Sequence, residues 1–189
     1  PQGKGLAYRF ARAGHRVFVG SRSPERAQEA AEELNARLSA DRAVSGTSNA
    51  TAASTGDIVV LAVPWNGHAE LVAGLRDRLA GKIVVSCVNP LGFDKRGPYG
   101  LQVSDGSAAE QAAALLPDSR VVGAFHHVSA VNLLSDAEYL KDEDVLVCGD
   151  DPAAKGVVQE LARAVTGRTG VDAGALRLAR QLEIGRAHV

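Results

Sequence analysis

Apolar residues recur at two spacings along this chain, and the spacings alternate. Leu6, Ala7, Phe10, Ala11 and Ala13 fall at helical spacing, so the opening stretch predicts a helix with one apolar face. Gly14 stands where a helix end favours a left-handed residue, and His15-Arg16 lead into the apolar run Val17-Phe18-Val19. Ser23 as a cap and Pro24 at the first helical position open a second helix to Leu38, with Ala27, Ala30, Ala31, Leu34 and Leu38 on one stripe. A short strand is expected near Ala43-Val44, and the polar region Ser45 to Gly56 holds a further helical turn. Continuous apolar runs follow at Asp57 to Val63 and at Lys82 to Val88, with a helix from His68 to Leu79 between them. Runs without polar alternation mark parallel strands covered on both faces.

The second half of the chain keeps the same rhythm. A capping box at Ser107 and Glu110 opens a helix that ends before Pro117, and strands are expected at Arg120 to Phe125 and Asp144 to Gly149. Asp151-Pro152 start a helix with Val157, Val158, Leu161 and Val165 inward, closed by Gly167, and Val171 to Gly174 reads as a last short strand before a helix that is cut off. This alternation predicts an α/β fold: a doubly wound, mostly parallel sheet with right-handed crossovers in a single domain. Asn89 to Asp105 is the longest irregular stretch, rich in Gly and Pro, and it follows a strand end, where long loops serve function or move.

Composition narrows the class. A chain of 189 residues with 46% hydrophobic and 23% charged residues fits a single soluble globular domain with a real core. The net charge of −1 gives no electrostatic case for nucleic acid or an acidic membrane surface. No apolar run approaches the roughly 20 residues that span a bilayer, and no signal peptide is visible. Cys87 and Cys148 lie in or beside apolar runs, so buried thiols in a cytoplasmic protein without disulfides are expected.

The chemistry is expected at the carboxyl ends of the strands, where open α/β sheets bind ligands. Pro1 to Arg26 reads as the second half of a βαβ dinucleotide unit with its opening strand missing, Gly3 being either the last glycine of the phosphate turn or part of an ordinary glycine turn before a helix. On this reading the chain is a fragment, short of one strand and its turn. Where NAD-binding units place an acidic residue after the next strand, this chain has Ser21-Arg22-Ser23-Pro24-Glu25-Arg26. A helix start flanked by Ser21, Arg22 and Arg26 suits the 2′-phosphate of NADP, although a plain capped helix start has the same sequence. The other strand ends, Val63-Pro64-Trp65, Val88-Asn89-Pro90 and His126 to Ala130, hold neither a Ser-His-Asp set nor Cys/His metal spacing. His126 and His127 either polarise a ligand or serve structure, and Trp65 either stacks on a ring or caps the core. A pocket without an evident acid or base suits hydride transfer, where cofactors carry the reacting atoms.

Ordered segments over nearly the whole chain then point to one family. They are Gly3–Ala7 (G-K-G-L-A), Ala13–His15 (A-G-H), Val19–Arg22 (V-G-S-R) and Asp57–Trp65 (D-I-V-V-L-A-V-P-W). Lys82–Ser86 (K-I-V-V-S), Ser107–Glu110 (S-A-A-E), Val147–Asp151 (V-C-G-D-D) and Asp172–Arg180 (D-A-G-A-L-R-L-A-R) complete the set. The chain resembles the NADPH-dependent reductases of the deazaflavin coenzyme F-420, the F-420:NADP oxidoreductase family. The resemblance implies one Rossmann-like domain with a short C-terminal extension, a homodimer, and reversible hydride transfer between NADP(H) and F-420. It implies Ser21, Arg22 and Arg26 on the 2′-phosphate and Pro1, Gln2 and Gly3 by the pyrophosphate. Trp65, Asn89, Leu91 and Ala130 would line the nicotinamide half, and His126, His127, Val128 and Ser129 with the loop after Asn89 would border the deazaflavin. Ser129 stands where a proline is often seen in the family, and Gly67 looks like an extra residue after Trp65. Lys95 and Arg96 either meet the coenzyme's acidic tail or form a solvated loop pair. The competing readings are an NADP-linked reductase of an imine or keto acid and a non-catalytic NADPH-sensing module. The expected domain is residues 1–183. Ile184 to Val189 resembles the translation of a sequencing adapter and is expected to carry no function.

Overall fold

In the computed structural model, which describes residues 1–39, 41 and 43–185, the apolar runs become parallel strands and the amphipathic stretches become their crossovers. The first half contains α1 (Gln2–Arg12), β1 (Val17–Ser21), α2 (Pro24–Asn35), β2 (Val44–Ser48), α3 (Asn49–Thr55), β3 (Ile58–Leu61), α4 (His68–Gly74), α5 (Arg76–Leu79) and β4 (Ile83–Ser86). Then come β5 (Leu91–Asp94), β6 (Gly97–Gly100), α6 (Ala108–Leu115), β7 (Arg120–Ala124), α7 (Ala130–Leu133), β8 (Leu146–Gly149), α8 (Pro152–Leu161), α9 (Arg163–Thr166), β9 (Val171–Asp172), a 3-10 turn and α10 (Ala179–Ile184). Strands β3-β4-β7-β8-β9 form one sheet, in which only the β7–β8 pair is antiparallel, and β1-β2 form a separate parallel pair.

The sheet is doubly wound because its strands are apolar on both faces. Val85, Val122 and Val147 pack with Phe10 of α1 and Val158 of α8 on one side. Val84 and Val121 pack with Val72 of α4 and Ala112 of α6 on the other. Each such fully buried valine contributes about 1.5–2 kcal/mol. The punctuation falls where expected: Gly14 (φ 99°) and Gly167 (φ 74°) adopt the left-handed region at helix ends. Ser23, Ser107 and Asp151 cap α2, α6 and α8, each accepting a backbone N–H.

Several expectations are corrected. The stretch Asn89 to Asp105 is not irregular throughout: β5 and β6 pair as an antiparallel hairpin that turns at Gly97 (φ 113°). The helix expected from His68 to Leu79 is divided at Leu75 (φ −102°, ψ 0°) into α4 and α5. Helix α2 stops at Asn35, because the Asn35 side chain brackets β2, accepting from Val44 N–H at 2.8 Å and donating to Val44 C=O at 2.9 Å. The last strand spans only Val171–Asp172. Of the expected non-native tail, Ile184 ends α10 and residues 186–189 lie outside the described residues.

Helix α10 is tied down by a buried carboxylate. Glu183 accepts from the Ala108 and Ala109 N–H groups at 3.0 Å each, at the open end of α6. Burial pushes its pKa up, against those two hydrogen bonds.

Candidate active site

The carboxyl ends of β1, β3, β4 and β7 and the N-terminus of α1 form the candidate site. At the end of β1, Ser21 Oγ accepts from Ser23 N–H at 3.2 Å. Ser23 Oγ accepts from Arg26 N–H at 3.4 Å and donates to Glu25 Oε2 at 2.7 Å, which lowers the Glu25 pKa. Arg22 and Arg26 are exposed, and neither has a carboxylate partner among the described residues. Two free guanidiniums beside a twelve-residue helix's N-terminus fit a doubly charged phosphate.

The α1 N-terminus is docked on two other strand ends. Gln2 Nε2 donates to Phe125 C=O at 2.9 Å, just past β7. Phe125 itself is buried with φ 62°, the one non-glycine residue with positive φ among the described residues, a conformation held by the surrounding packing. A Cβ placed on Gly3 would lie 3.2 Å from Ala62 Cβ, so the helix start sits close against the end of β3. Gln2 and Gly3 therefore dock the helix start on Phe125 and Ala62.

Between β4 and β7 the ends are clamped to each other. Asn89 Nδ2 donates to His126 C=O at 2.9 Å, and His126 Nδ1 donates to Asn89 Oδ1 at 3.1 Å. His126 is 1% exposed, and burial, reinforced by neighbouring His127, pushes its pKa down to about 3. The ring is neutral, with Nδ1 carrying the proton because Asn89 Oδ1 can only accept; Nε2 is buried without a partner among the described residues. His127 Nε2 is tied to Asp144 C=O at 2.8 Å, and Val128 is wholly buried. Ser129 donates its N–H to Glu143 Oε2 at 3.0 Å and caps α7 through Asn132 N–H, while Asn132 Nδ2 donates to Glu143 Oε1 at 2.8 Å. The structure thus puts the side chains of His126, His127, Val128 and Ser129 into anchoring contacts. What it brings to the surface is the half-exposed Ala130 and Val131, which is 82% exposed.

Trp65 is half-buried and stacks on His68, with centroids 5.4 Å apart and planes at 26°. His68 is held by Gln111 at 3.0 Å, and burial lowers its pKa. Leu91 starts the β5–β6 hairpin, which exposes Phe93 and Tyr99 and carries Lys95 and Arg96 at its exposed tip. Burial pushes the Cys87 thiol up to about 12 and the Cys148 thiol to about 11, and both are free. No cluster of metal-ligating side chains occurs among the described residues, and no helix there is long and apolar enough to cross a membrane. Sequence reasoning missed Glu143, the Gln2–Phe125 link and the Asn89–His126 clamp. An Asn at a strand end before Pro90 was the one visible signal, since its partner lies 37 residues away.

Free guanidiniums after one parallel strand, a helix N-terminus docked on two other strand ends, and neutral clamped groups beyond fit a site of the doubly wound, dinucleotide-dependent oxidoreductase class. The comparisons are more specific. Residues 1–90 match the family model described as "NADP oxidoreductase coenzyme F420-dependent". The chain is 37% identical to the F420-dependent NADP reductase of Methanocaldococcus jannaschii over 187 residues, covering 96% of this chain and 83% of that protein. It is also 37% identical to the F420-dependent NADP reductase of Methanothermobacter thermautotrophicus, over 96% of this chain and 80% of the relative. Among solved structures, a hypothetical protein from Sinorhizobium meliloti superposes with a TM-score of 0.77 at 26% identity, covering 97% of this chain and 85% of that one. The chain belongs to the F420-dependent NADP reductase family.

Proposed function

We propose that this protein transfers a hydride between NADP(H) and the deazaflavin coenzyme F-420. The observation that carries the reading is the asymmetry along the row of strand ends. The β1 end offers Arg22 and Arg26 without ion partners, while the β4 and β7 ends offer neutral groups already bonded to each other. The relatives' activity supplies the identity of the acceptor.

In this reading Ser21, Arg22 and Arg26 hold the 2′-phosphate, and Pro1, Gln2 and Gly3 lie by the pyrophosphate. Trp65, Asn89, Leu91 and Ala130 line the nicotinamide half, and the segment His126 to Ser129 borders the deazaflavin through its backbone and through Asn89, its side chains being anchors. NADPH supplies the hydride and oxidised F-420 accepts it, together with one proton from solvent. The protein's part is to orient two rings and exclude water, which needs fixed geometry rather than a titrating group. The neutral His126 suits that role: it holds Asn89 in place without presenting a charge to a redox centre. The reading includes a cytoplasmic homodimer without nucleic-acid partners, supported by two buried free thiols, a net charge of −1 and the exposed apolar side chains Phe93 and Val131.

The test mixes the protein with NADPH and oxidised F-420 and follows the deazaflavin's visible absorbance, with NADH and free flavin as controls. Bleaching with NADPH, and much slower bleaching with either control, is the expected result. Tight NADPH binding without bleaching would move the protein to another acceptor, such as an imine or keto acid, or to a sensing role.

A further inference from the structure

Helix α1 gives each of its faces to a different neighbour. Leu6 and Phe10 enter the core on one side of the sheet, and Ala7, Tyr8 and Ala11 pack toward α2. A third stripe, Gln2, Gly5, Arg9 and Arg12 at helical spacing, faces the segment that follows β7. Gln2 holds Phe125 C=O, a Cβ on Gly5 would lie 2.5 Å from Leu133 Cβ, and Arg12 Nη1 donates to Ala137 C=O at 2.9 Å. Arg9 is wholly buried, and its whole guanidinium is engaged there. Nε donates to Leu133 C=O at 2.7 Å, and Nη1 to Ala137 C=O at 2.6 Å and Glu138 C=O at 3.1 Å. Nη2 donates to Asn132 C=O at 2.9 Å, and to Ser135 C=O at 3.2 Å and Ser135 Oγ at 3.1 Å. These carbonyls lie at the end of α7, where a cation is favoured, and a planar fork reaches them in several directions at once.

Helix α7 cannot hold its own place. Four residues are too few to sustain a helix, and of these only Leu133 is fully buried. Its position is set by what grips its two ends. At the start, the Glu143 carboxylate accepts from Ser129 N–H and the Asn132 side chain; at the finish stands Arg9. We propose that Arg9 is a positioning residue for hydride transfer: by fixing the end of α7 to α1, it sets the wall that Ala130 and Val131 present beyond the carboxyl end of β7. The inference rests on the reading that Ala130 lines the nicotinamide half of the site. Because the N-terminus of α1 lies by the pyrophosphate in that same reading, one rigid helix would fix the spacing between phosphates and ring. Arg9 is sealed from solvent, so it acts on a ligand only through α7.

The test displaces α7 by two different means. Arg9→Lys keeps the charge and loses the fork, whereas Gly5→Ala pushes on Leu133 and leaves Arg9 in place. Val158→Ala, which opens the core at α8, is the control for lost stability alone. Amide exchange at Leu133, Leu134 and Ser135, whose N–H groups bond back into α7, should quicken about tenfold or more in both displaced variants, with α8 unchanged. Their NADPH Kd should stay within about twofold of native, because the phosphates are held elsewhere, while the rate of F-420 bleaching at saturating NADPH falls about a hundredfold. Val158→Ala should bleach F-420 within about twofold of native. A folded Arg9→Lys chain with native exchange at α7, or with a native bleaching rate, overturns the proposal. If Arg9→Lys does not fold, a native bleaching rate in Gly5→Ala overturns it. An equal loss of rate in Val158→Ala would also do so, since the effect would then be one of stability. A native chain that binds NADPH and does not bleach F-420 would overturn the hydride-transfer reading, and this assignment with it.

Discussion

Strands β3 and β4 carry almost the same tetrapeptide, Ile58-Val59-Val60-Leu61 and Ile83-Val84-Val85-Ser86, and pair with each other residue for residue. Their burial differs. Every residue of β4 is buried, while in β3 only Leu61 is. The first three residues are identical, so the difference there comes from the neighbours: β4 has β7 on its second edge, while the second edge of β3 lines an open cleft of about 410 Å³ shared with β1. Burial is a property of a place in the sheet rather than of the residues that occupy it. The ligand ends differ in the same way. Beyond β4, Asn89 is bonded through both ends of its amide to His126, whereas beyond β1 the guanidiniums of Arg22 and Arg26 are free among the described residues. One half of the molecule is satisfied internally, and the other is arranged for something to be added.

The sharpest way to break this comparison is a matched pair of truncations. Val85 is wholly buried in the main core, so Val85→Ala removes two methyls from a packed site and is expected to cost about 2–3 kcal/mol. Val60, half-exposed on the cleft, should cost about 1 kcal/mol or less when cut to alanine. Urea unfolding of the two variants measures both. Equal losses would mean that β3 is as well covered as β4.

At the ligand ends, the expected effect is on preference rather than on folding. Arg22→Asp replaces a free cation at the end of β1 with an anion and should reduce the NADPH-over-NADH preference in binding by about ten- to a hundredfold. Because the side chain is exposed, stability should move by no more than about 0.5 kcal/mol. Titration of both nucleotides against both proteins reads this directly. An unchanged preference would remove Arg22 from the phosphate site.

The architecture was largely legible in the sequence, because it rests on local signals. Hydrophobic period, capping residues and left-handed glycines each act within one or two turns of chain, so α1, α2, the Ser107–Glu110 box and the apolar strands could be read directly. The β5–β6 hairpin could not, since Leu91 to Gly100 offers only four residues a side and little polar alternation. The candidate site was half legible. Ser21, Arg22 and Arg26 follow from position in a βαβ unit, but the roles of the second set depend on contacts distant in sequence. His126 stays open between a ligand-facing and a structural role until its ring is seen turned onto Asn89, and Glu143 has no local signal at all for holding Ser129 and Asn132. Spacing along a strand tells which residues share a face; which partner crosses from the next strand is decided by the fold.

The smallest expected effect tests how closed the β4–β7 side is, through its buried histidine. The folded pKa of His126, about 3, lies below the ordinary value of an unfolded histidine near 6.5, so between those values the unfolded state binds the extra proton. Stability from this group is complete above about pH 6.5 and is lost as pH falls toward 3, by about 1 kcal/mol between pH 7 and 5.5. His68, also lowered by burial, acts with the same sign. Glu183 acts with the opposite sign: its raised pKa means that the folded state binds protons above the ordinary carboxylate range, which offsets part of the loss. Urea midpoints from pH 7 to 5.5 should therefore fall more steeply in the native chain than in His126→Gln, with the His68→Gln slope between them because His68 is less strongly shifted. A His126→Gln chain as acid-sensitive as the native one would mean that the imidazole takes up its proton while the protein remains folded. The β4–β7 end would then be open to water, as the β1–β3 cleft is, and the contrast between the two halves would fail at that point.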